Sequence, residues 1–277
     1  MFGSLSRAAF IASIVTSILT ACGGGGASYS AGTAPASTTA ITSTSVENPV
    51  PVVVSNTVIS SVFDGTNDLN QPVTTLIQDD GSFFMVYSDN ASGDVLGVSV
   101  GKGSLIGGSF SSADVLDLSL VGTGAQASNP AVLSSSYSEK QSLDGTITYT
   151  GTNQTRTFTT HYNSSYESLP NLPTVAGTYT GNIATKDLRE QNVELTIAAD
   201  GTLTGKLSCG CTVNATLVPH PGGIAYDATL NFTGGSHALT GNTLIGNVYF
   251  DTTSKRLYIV GQLTGSATAA IFVGTKT

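Results

Sequence analysis

Short stretches of alternating apolar and polar residues run through the chain from Pro51 to its end. β-Branched and aromatic residues dominate these stretches, and Gly, Asn and Asp separate them, which is the pattern of β-strands joined by turns. The stretches Val73–Ile77 and Ser82–Ser88 flank the pair Asp80-Gly81. Because an Asp-Gly pair tolerates the positive φ angles of a tight turn, these residues predict a β-hairpin.

The same hairpin pattern occurs a second time around Asp200-Gly201, which indicates an internal repeat. The ten residues that begin at Val73 align without gaps with the ten that begin at Val193. Two further pairs of segments match in the same order, namely Phe63-Asp64-Gly65 with Tyr179-Thr180-Gly181 and Leu143–Tyr149 with Leu244–Phe250. The three matches predict two copies of one β-fold, with equivalent hairpins at Gly81 and Gly201.

Two prolines in Leu169–Pro173 interrupt the strand pattern between the two copies. We therefore expect a first β-domain over residues 51–172 and a second, its repeat, over residues 173–277. Each has room for about seven or eight strands at the spacing that is typical of β-sandwiches and small β-barrels. The predicted fold class is all-β, with two tandem antiparallel barrels or sandwiches. One sandwich formed by both halves is the alternative.

The beginning of the chain has a different character. Arg7 precedes the mostly apolar run Ala8–Leu19, and together they have the outline of a signal peptide over residues 1–21. This run is too short to cross a bilayer as a helix, which takes about 20 residues. Residues 22–50 are rich in Gly, Ser, Thr and Ala without an apolar period, so they predict a flexible tether with an r.m.s. span of about 30 Å.

The segment Leu19-Thr20-Ala21-Cys22 resembles the lipobox of bacterial lipoproteins. The resemblance implies cleavage before Cys22, a diacylglycerol on its thiol and an acyl chain on its new amino group. Several acyl chains anchor a protein to a membrane more firmly than one. Gly23 replaces the Asp that favours inner-membrane retention, which implies the cell outer membrane and leaves the periplasmic or surface side open. An ordinary secretory signal that ends at a chance cysteine is the alternative.

Repeated Gly-Thr-Tyr-Thr-Gly-type strands and the terminal segment Phe272-Val273-Gly274-Thr275-Lys276 resemble lipoproteins of proteobacteria that combine a lipobox with a Gly/Ser/Thr tether. At the level of architecture, the chain also resembles the transferrin-binding and factor-H-binding surface lipoproteins, whose lobes are eight-stranded β-barrels. Their Phe-Gly-Pro/Ala-rich barrel motif is absent from this sequence. The resemblance therefore implies tandem β-barrels but does not transfer the ligands of those proteins.

The charge balance restricts the possible partners. The chain of 277 residues has 10 Lys+Arg against 18 Asp+Glu and a formal net charge of −8. Nucleic-acid binding depends on Lys and Arg contacts to phosphates, so we expect no nucleic-acid partner. The sequence also offers no polybasic patch for anionic lipid, so contact with the membrane is expected through the lipid anchor alone.

Cys209 and Cys211 lie on either side of Gly210. In an exported protein a disulfide is the first interpretation, although strand residues two apart place their Cα atoms near the upper limit for a bridge. Two half-buried thiols or a redox-active pair are the alternatives. A zinc site would need His220 and His237 as well. We expect no metal, because zinc sites usually show a second compact ligand pair and the turn sequence around His220 predicts an exposed ring.

Catalytic chemistry finds little support in the sequence. The chain has three histidines that could act as a base, His161, His220 and His237, and no Gly-x-Ser-x-Gly elbow. Several aspartates lie in predicted turns, where their side chains satisfy backbone donors: Asp64, Asp80, Asp144 and Asp200. We therefore expect no catalytic residues and no cofactor.

The leading functional hypothesis is a non-enzymatic outer-membrane lipoprotein whose β-domains bind a protein or glycan partner. An envelope inhibitor or small-ligand carrier is one alternative, and a redox or hydrolytic accessory enzyme that uses Cys209 and Cys211 is another. A large cavity would favour the carrier, whereas filled barrels with exposed aromatic loops would favour protein binding.

Overall fold

The structure is a computed structural model that describes residues 57–120, 128–185, 188–266 and 268–277. Strands dominate these residues, and the prediction of an all-β fold is confirmed. The predicted signal peptide, Cys22 and the tether lie outside the described residues. Among the residues described, no helix has the length and apolar character to cross a membrane.

The first half of the described chain forms a closed antiparallel barrel. Its strands are β1 Ser61–Asn67, β2 Pro72–Ile77, β3 Ser82–Ser88, β4 Val95–Lys102, β5 Ser104–Ile106, β6 Ser109–Ser119, β7 Ser128–Ser138, β8 Ser142–Tyr149 and β9 Thr155–Tyr162. β1 pairs with β2 and β9, and β4 pairs with β6, so that eight strands close the ring. The short strand β5 pairs with β6 alongside that ring.

The second half forms another closed barrel of eight strands. Its strands are β10 Gly177–Thr185, β11 Arg189–Ile197, β12 Thr202–Lys206, β13 Thr212–Pro219, β14 Ala225–Thr233, β15 Thr243–Asp251, β16 Arg256–Leu263 and β17 Ala269–Lys276. A 3-10 helix, Ser164–Glu167, and the single-turn helix α1, Leu172–Val175, connect the two barrels. Of the two architectures expected from the sequence, the barrel is therefore the one that forms. Closure gives every strand of each eight-stranded ring two neighbours.

The two Asp-Gly hairpins occupy equivalent places, since each joins the second and third strands of its barrel. Gly81 and Gly201 have φ angles of 83° and 87°, which a residue with a Cβ rarely adopts. The Oδ1 atoms of Asp80 and Asp200 accept hydrogen bonds from the backbone N–H two residues later, at 2.8 and 2.9 Å. Local turn chemistry thus fixes the same hairpin in both halves.

The other two sequence matches have different outcomes. Phe63 of β1 and Tyr179 of β10 are both buried in the first strands of their barrels. The third match pairs strands of different rank, because β8 is the seventh strand around the first barrel and β15 is the sixth around the second. A Cβ on Gly145 would overlap the preceding strand, whereas one on Gly246 would overlap the following strand. That match reflects shared strand composition.

The barrels contact each other through the outer faces of their strands. Alternate residues of β3, β4 and β6 point outward and join the buried apolar cluster of the second barrel: Phe84, Val86, Val98, Val100, Leu116 and Leu118. The Arg256 side chain donates to the Gly93 carbonyl oxygen at 2.7 Å, and Asn247 donates to the Ser82 hydroxyl at 3.2 Å. Both barrels therefore belong to one compact unit. The domain bounds drawn at residues 172 and 173 stay a prediction.

Candidate functional site

One end of the first barrel contains a cavity of about 400 Å³. Its mouth is formed by the β1–β2 turn, the β8–β9 turn and the adjoining ends of β4, β6 and β7. The walls carry apolar side chains from one turn and five strands: Leu69, Val73, Met85, Leu96, Ile147 and Phe158. A volume of this size falls in the range of small-molecule sites.

Asp117 lies in this cavity because successive side chains of β6 point to opposite faces of the sheet. Its neighbours Leu116 and Leu118 point outward into the cluster between the barrels, so Asp117 points inward. The residue is 2% exposed, and its Oδ1 accepts a hydrogen bond from the Ser99 hydroxyl at 2.7 Å. The Tyr149 hydroxyl donates to Oδ2 at 3.0 Å, and the Tyr87 hydroxyl lies 3.3 Å from both oxygens.

Burial raises the pKa of Asp117 above its ordinary value, and the three hydroxyl donors oppose this only in part. Burial is also the main reason why the pKa values of Tyr87 and Tyr149 are raised, and the Asp117 charge adds to it. Both phenols therefore keep their protons and act as donors at neutral pH. The result is a carboxyl group inside an apolar cavity, surrounded by hydroxyl donors.

An ion pair lies at the rim of the cavity. Arg156 of β9 lines the mouth, and its Nη1 lies 3.6 Å from Oδ2 of Asp68. Leu69, beside it in the β1–β2 turn, is 52% exposed. The rim thus presents an ion pair and an apolar side chain to solvent, whereas the uncompensated carboxyl group lies deeper.

The described residues of the second barrel leave far less space in its interior. Its interior leaves a void of about 10 Å³, which is at most the room for one water molecule. Around that void lie Leu195, Leu203, Leu230, Phe232 and Phe272. β14, the fifth strand of this ring as β6 is of the first, carries Ala228, Leu230 and Phe232 where β6 carries Asp117. The first barrel thus contains an open apolar cavity with a buried carboxyl group, whereas the interior of the second is filled.

Cys209 and Cys211 form a disulfide in the turn between β12 and β13. Their Cα atoms are 5.3 Å apart, within the usual range for a bridge. Gly210 has a φ of 73°, so the chain bends between the two cysteines. The strand geometry considered from the sequence does not apply, because these residues belong to a turn. The bridge lies in the second barrel, apart from the cavity residues of the first.

His220 is 7% exposed, so the expectation of an exposed ring was wrong. Its Nδ1 lies 3.0 Å from Oδ1 of Asp227, and its Nε2 lies 3.3 Å from the Ser60 hydroxyl and 3.5 Å from Oδ1 of Asp79. The turn is covered because Ser60 and Asp79 belong to the first barrel and pack against it. His220 therefore connects the two barrels.

His220 contacts Ser60 through one ring nitrogen and Asp227 through the other, as the histidine of a Ser-His-Asp catalytic triad does. The surroundings of Ser60 differ from those of a catalytic serine. The Ser60 hydroxyl accepts a hydrogen bond from the Asp79 backbone N–H at 2.9 Å. Ser60 is also buried, with an exposure of 7%. A nucleophile needs access to a carbonyl carbon, and this hydroxyl has little. The arrangement fits a polar contact between the barrels.

The remaining histidines do not join the cysteines in a site. His237 stacks on Phe232 with ring centroids 5.4 Å apart, and His161 lies on the exposed side of β9. Within the described ranges, no group of three or more His, Cys, Asp and Glu side chains has the geometry to hold a metal ion.

No family model and no curated protein matches the sequence. Among the solved structures, the chain is similar to a putative outer membrane protein from Bacteroides fragilis, at 15% identity over 79% of this chain and 98% of that one, with a TM-score of 0.25. It is also similar to a mutant of the vaccine antigen Transferrin Binding Protein B from Haemophilus parasuis, at 9% identity over 80% and 77%, with a TM-score of 0.27. At these scores the functional interpretation depends on the site's own residues.

Proposed function

We propose that the protein is a non-enzymatic binding protein that holds a small ligand in the cavity of its first barrel. The observation that carries this proposal is the contrast between the two interiors, with about 400 Å³ of space in the first barrel and about 10 Å³ in the second. Apolar walls with a few converging polar groups are the usual construction of a ligand site. Of the functions considered from the sequence, the small-ligand carrier fits best.

Binding of N-phenylnaphthylamine, whose fluorescence rises in apolar surroundings, tests this proposal. The probe should bind the wild-type protein, and Ile147→Trp should weaken binding, because Ile147 lines the cavity and the bulkier indole ring would occupy part of it. Thr148→Trp is the matched control, since Thr148 is the next residue of β8 and lies outside the cavity. Unchanged probe binding by a folded Ile147→Trp variant would show that the cavity is not the site.

The proposed location is the outer membrane, with Cys22 as the acylated amino terminus of the mature protein. Its support is the lipobox-like segment that ends at Cys22 and the tether that follows it. Mass spectrometry of protein extracted from membranes should yield a lipidated peptide beginning at Cys22. An unmodified mature protein that starts at another residue would exclude the lipid anchor.

A glycan partner is the second candidate, supported by a groove of about 390 Å³ between the outer faces of the barrels. Hydrogen-bonding side chains line this groove beside exposed Ile245: Gln78, Asp80, His220, Asp227, Asn247 and Gln262. Binding on a glycan array, reduced by Gln262→Ala and unaffected by Ile147→Trp, would place a partner in the groove. Binding that both variants leave unchanged would place it elsewhere.

A further inference from the structure

We infer that the cavity of the first barrel selects a small organic cation, a protonated amine with an apolar body, and that Asp117 is its anionic partner. This inference rests on the proposed ligand-binding function and adds the chemical class of the ligand. Three features of the cavity carry it: a buried carboxylate without a basic partner, aromatic rings around it, and a mouth that disfavours anions.

The first feature is the missing counter-charge. In the described part of the chain, the hydrogen bonds to Asp117 come from the hydroxyls of Ser99, Tyr87 and Tyr149, and no Lys, Arg or His forms an ion pair with it. Burying a carboxylate without a cation is unfavourable, and an ammonium ligand would supply that cation. A carboxylate has about four acceptor positions, so it can accept a ligand N–H beside its three hydroxyl donors.

The second feature is the aromatic lining. Tyr87, Tyr149 and Phe158 all face the cavity in which Asp117 lies. The faces of aromatic rings attract cations, and the attraction grows when the cation is desolvated. Met85 and Ile147 complete walls that suit an apolar body of aromatic or aliphatic carbon. The cavity therefore combines a negative floor with surroundings that accept a hydrophobic cation.

The third feature concerns anions. Among the described residues, the lining of the cavity has one basic group, Arg156, and this guanidinium already lies 3.6 Å from the Asp68 carboxylate. An anionic ligand would have to displace that pairing at the mouth and would then approach Asp117. A neutral ligand would fill the apolar space but leave the buried carboxylate without a cation. The charges therefore favour an amine over both.

Three naphthalene compounds of similar shape test the inference by isothermal titration calorimetry: naphthylmethylamine, naphthylmethanol and naphthoate. The amine should bind the wild-type protein at least tenfold more tightly than the alcohol, since one charge-assisted hydrogen bond corresponds to about a factor of ten. In Asp117→Asn the amine and the alcohol should bind about equally. Asp114→Asn is the matched control, because Asp114 lies on the same strand with its side chain exposed, and it should keep the preference.

The pH dependence of wild-type binding provides a measurement that needs no variant. Protonation removes the Asp117 charge, so affinity for the amine should fall as the pH is lowered from about 8 to 4, while affinity for the alcohol stays constant. The other groups near Asp117 are Tyr87 and Tyr149, which keep their protons in this range, and the Arg156–Asp68 pair at the rim. Asp117→Asn should flatten the amine profile, which assigns the pH dependence to Asp117.

Equal or tighter binding of the alcohol or of naphthoate by the wild-type protein would overturn the inference and leave the proposed binding function standing. An amine preference that survives in Asp117→Asn would also overturn it. If none of the three compounds and no apolar probe binds, the proposed function fails together with the inference.

Discussion

Replacing Phe84 with alanine tests whether the two barrels unfold as one unit. Phe84 leaves β3 on the outer side of the first barrel, is 1% exposed, and belongs to the apolar cluster that includes Tyr258 and Val260 of β16. Removing a buried phenylalanine side chain costs about 3–5 kcal/mol, because the lost transfer free energy and the new cavity both count. In a unit of this size each kcal/mol lowers the melting temperature by about 2–4 °C, so Phe84→Ala should melt about 6–20 °C below the wild type.

Differential scanning calorimetry should show a single transition for the wild type and for Phe84→Ala, because the ring belongs to a cluster shared by both barrels. Ile106→Ala is the control, since Ile106 is 70% exposed on β5 and its loss should change stability by less than about 0.5 kcal/mol. Two separate transitions of which only one shifts would refute the reasoning. A melting temperature of Phe84→Ala equal to that of the wild type would also refute it.

Three further substitutions follow from the described contacts. Because the pKa of Asp117 is raised in the folded protein, wild-type stability falls as the pH rises through that pKa. In urea titrations Asp117→Asn should therefore gain stability relative to the wild type as the pH rises from 3 to 7. Gly181→Ala should cost about 1–3 kcal/mol or prevent folding, since its Cβ would overlap the last strand, whereas Gly151→Ala should be neutral in the same melts. Serine at both Cys209 and Cys211 should shift the melting temperature by only a few degrees, because a short loop gives a disulfide about 1 kcal/mol or little more.

The parts of the fold that depend on local chemistry could be predicted from the sequence. Asp80-Gly81 and Asp200-Gly201 specify their hairpins through positive φ angles and a side-chain hydrogen bond within three residues. The alternation of apolar and polar residues is also a local pattern, and it predicted the strand content. The pairing of β4 with β6 closes the first barrel, and no local pattern encodes such a contact. The sequence therefore does not distinguish a barrel from a sandwich.

The candidate site was missed because aspartates were interpreted as turn residues. That interpretation holds for Asp80 and Asp200 but was wrong for Asp64 and Asp144, which lie in β1 and β8. Asp117 lies inside β6 between Leu116 and Leu118. The sequence contained a signal for Asp117. Successive side chains of a strand point to opposite faces, so an aspartate between two apolar residues faces the side opposite to theirs. Whether that side is solvent or a barrel interior depends on Ser99 and Tyr149, which lie on other strands.

His220 shows the same limit from the opposite direction. Its sequence neighbours are prolines and glycines, which are typical of an exposed turn, yet Ser60 and Asp79 cover it. Ser60 is 160 positions away, so no window along the chain contains both residues. Contacts between the two barrels decide which residues are buried where the barrels meet. Sequence periodicity indicates burial only within one barrel.

The two barrels share a strand plan but differ in what fills their interiors. Packing alone favours the filled interior of the second barrel, because a carboxyl group buried among hydroxyls destabilises the fold in a way that Leu230 and Phe232 do not. The first barrel can keep Asp117 and an open cavity because the outer face of the same strands buries Phe84 and Leu118 against its neighbour. Stability lost inside the first barrel is thus offset outside it. A destabilising carboxyl group present in one copy and replaced by apolar side chains in the other is better explained by a ligand than by folding.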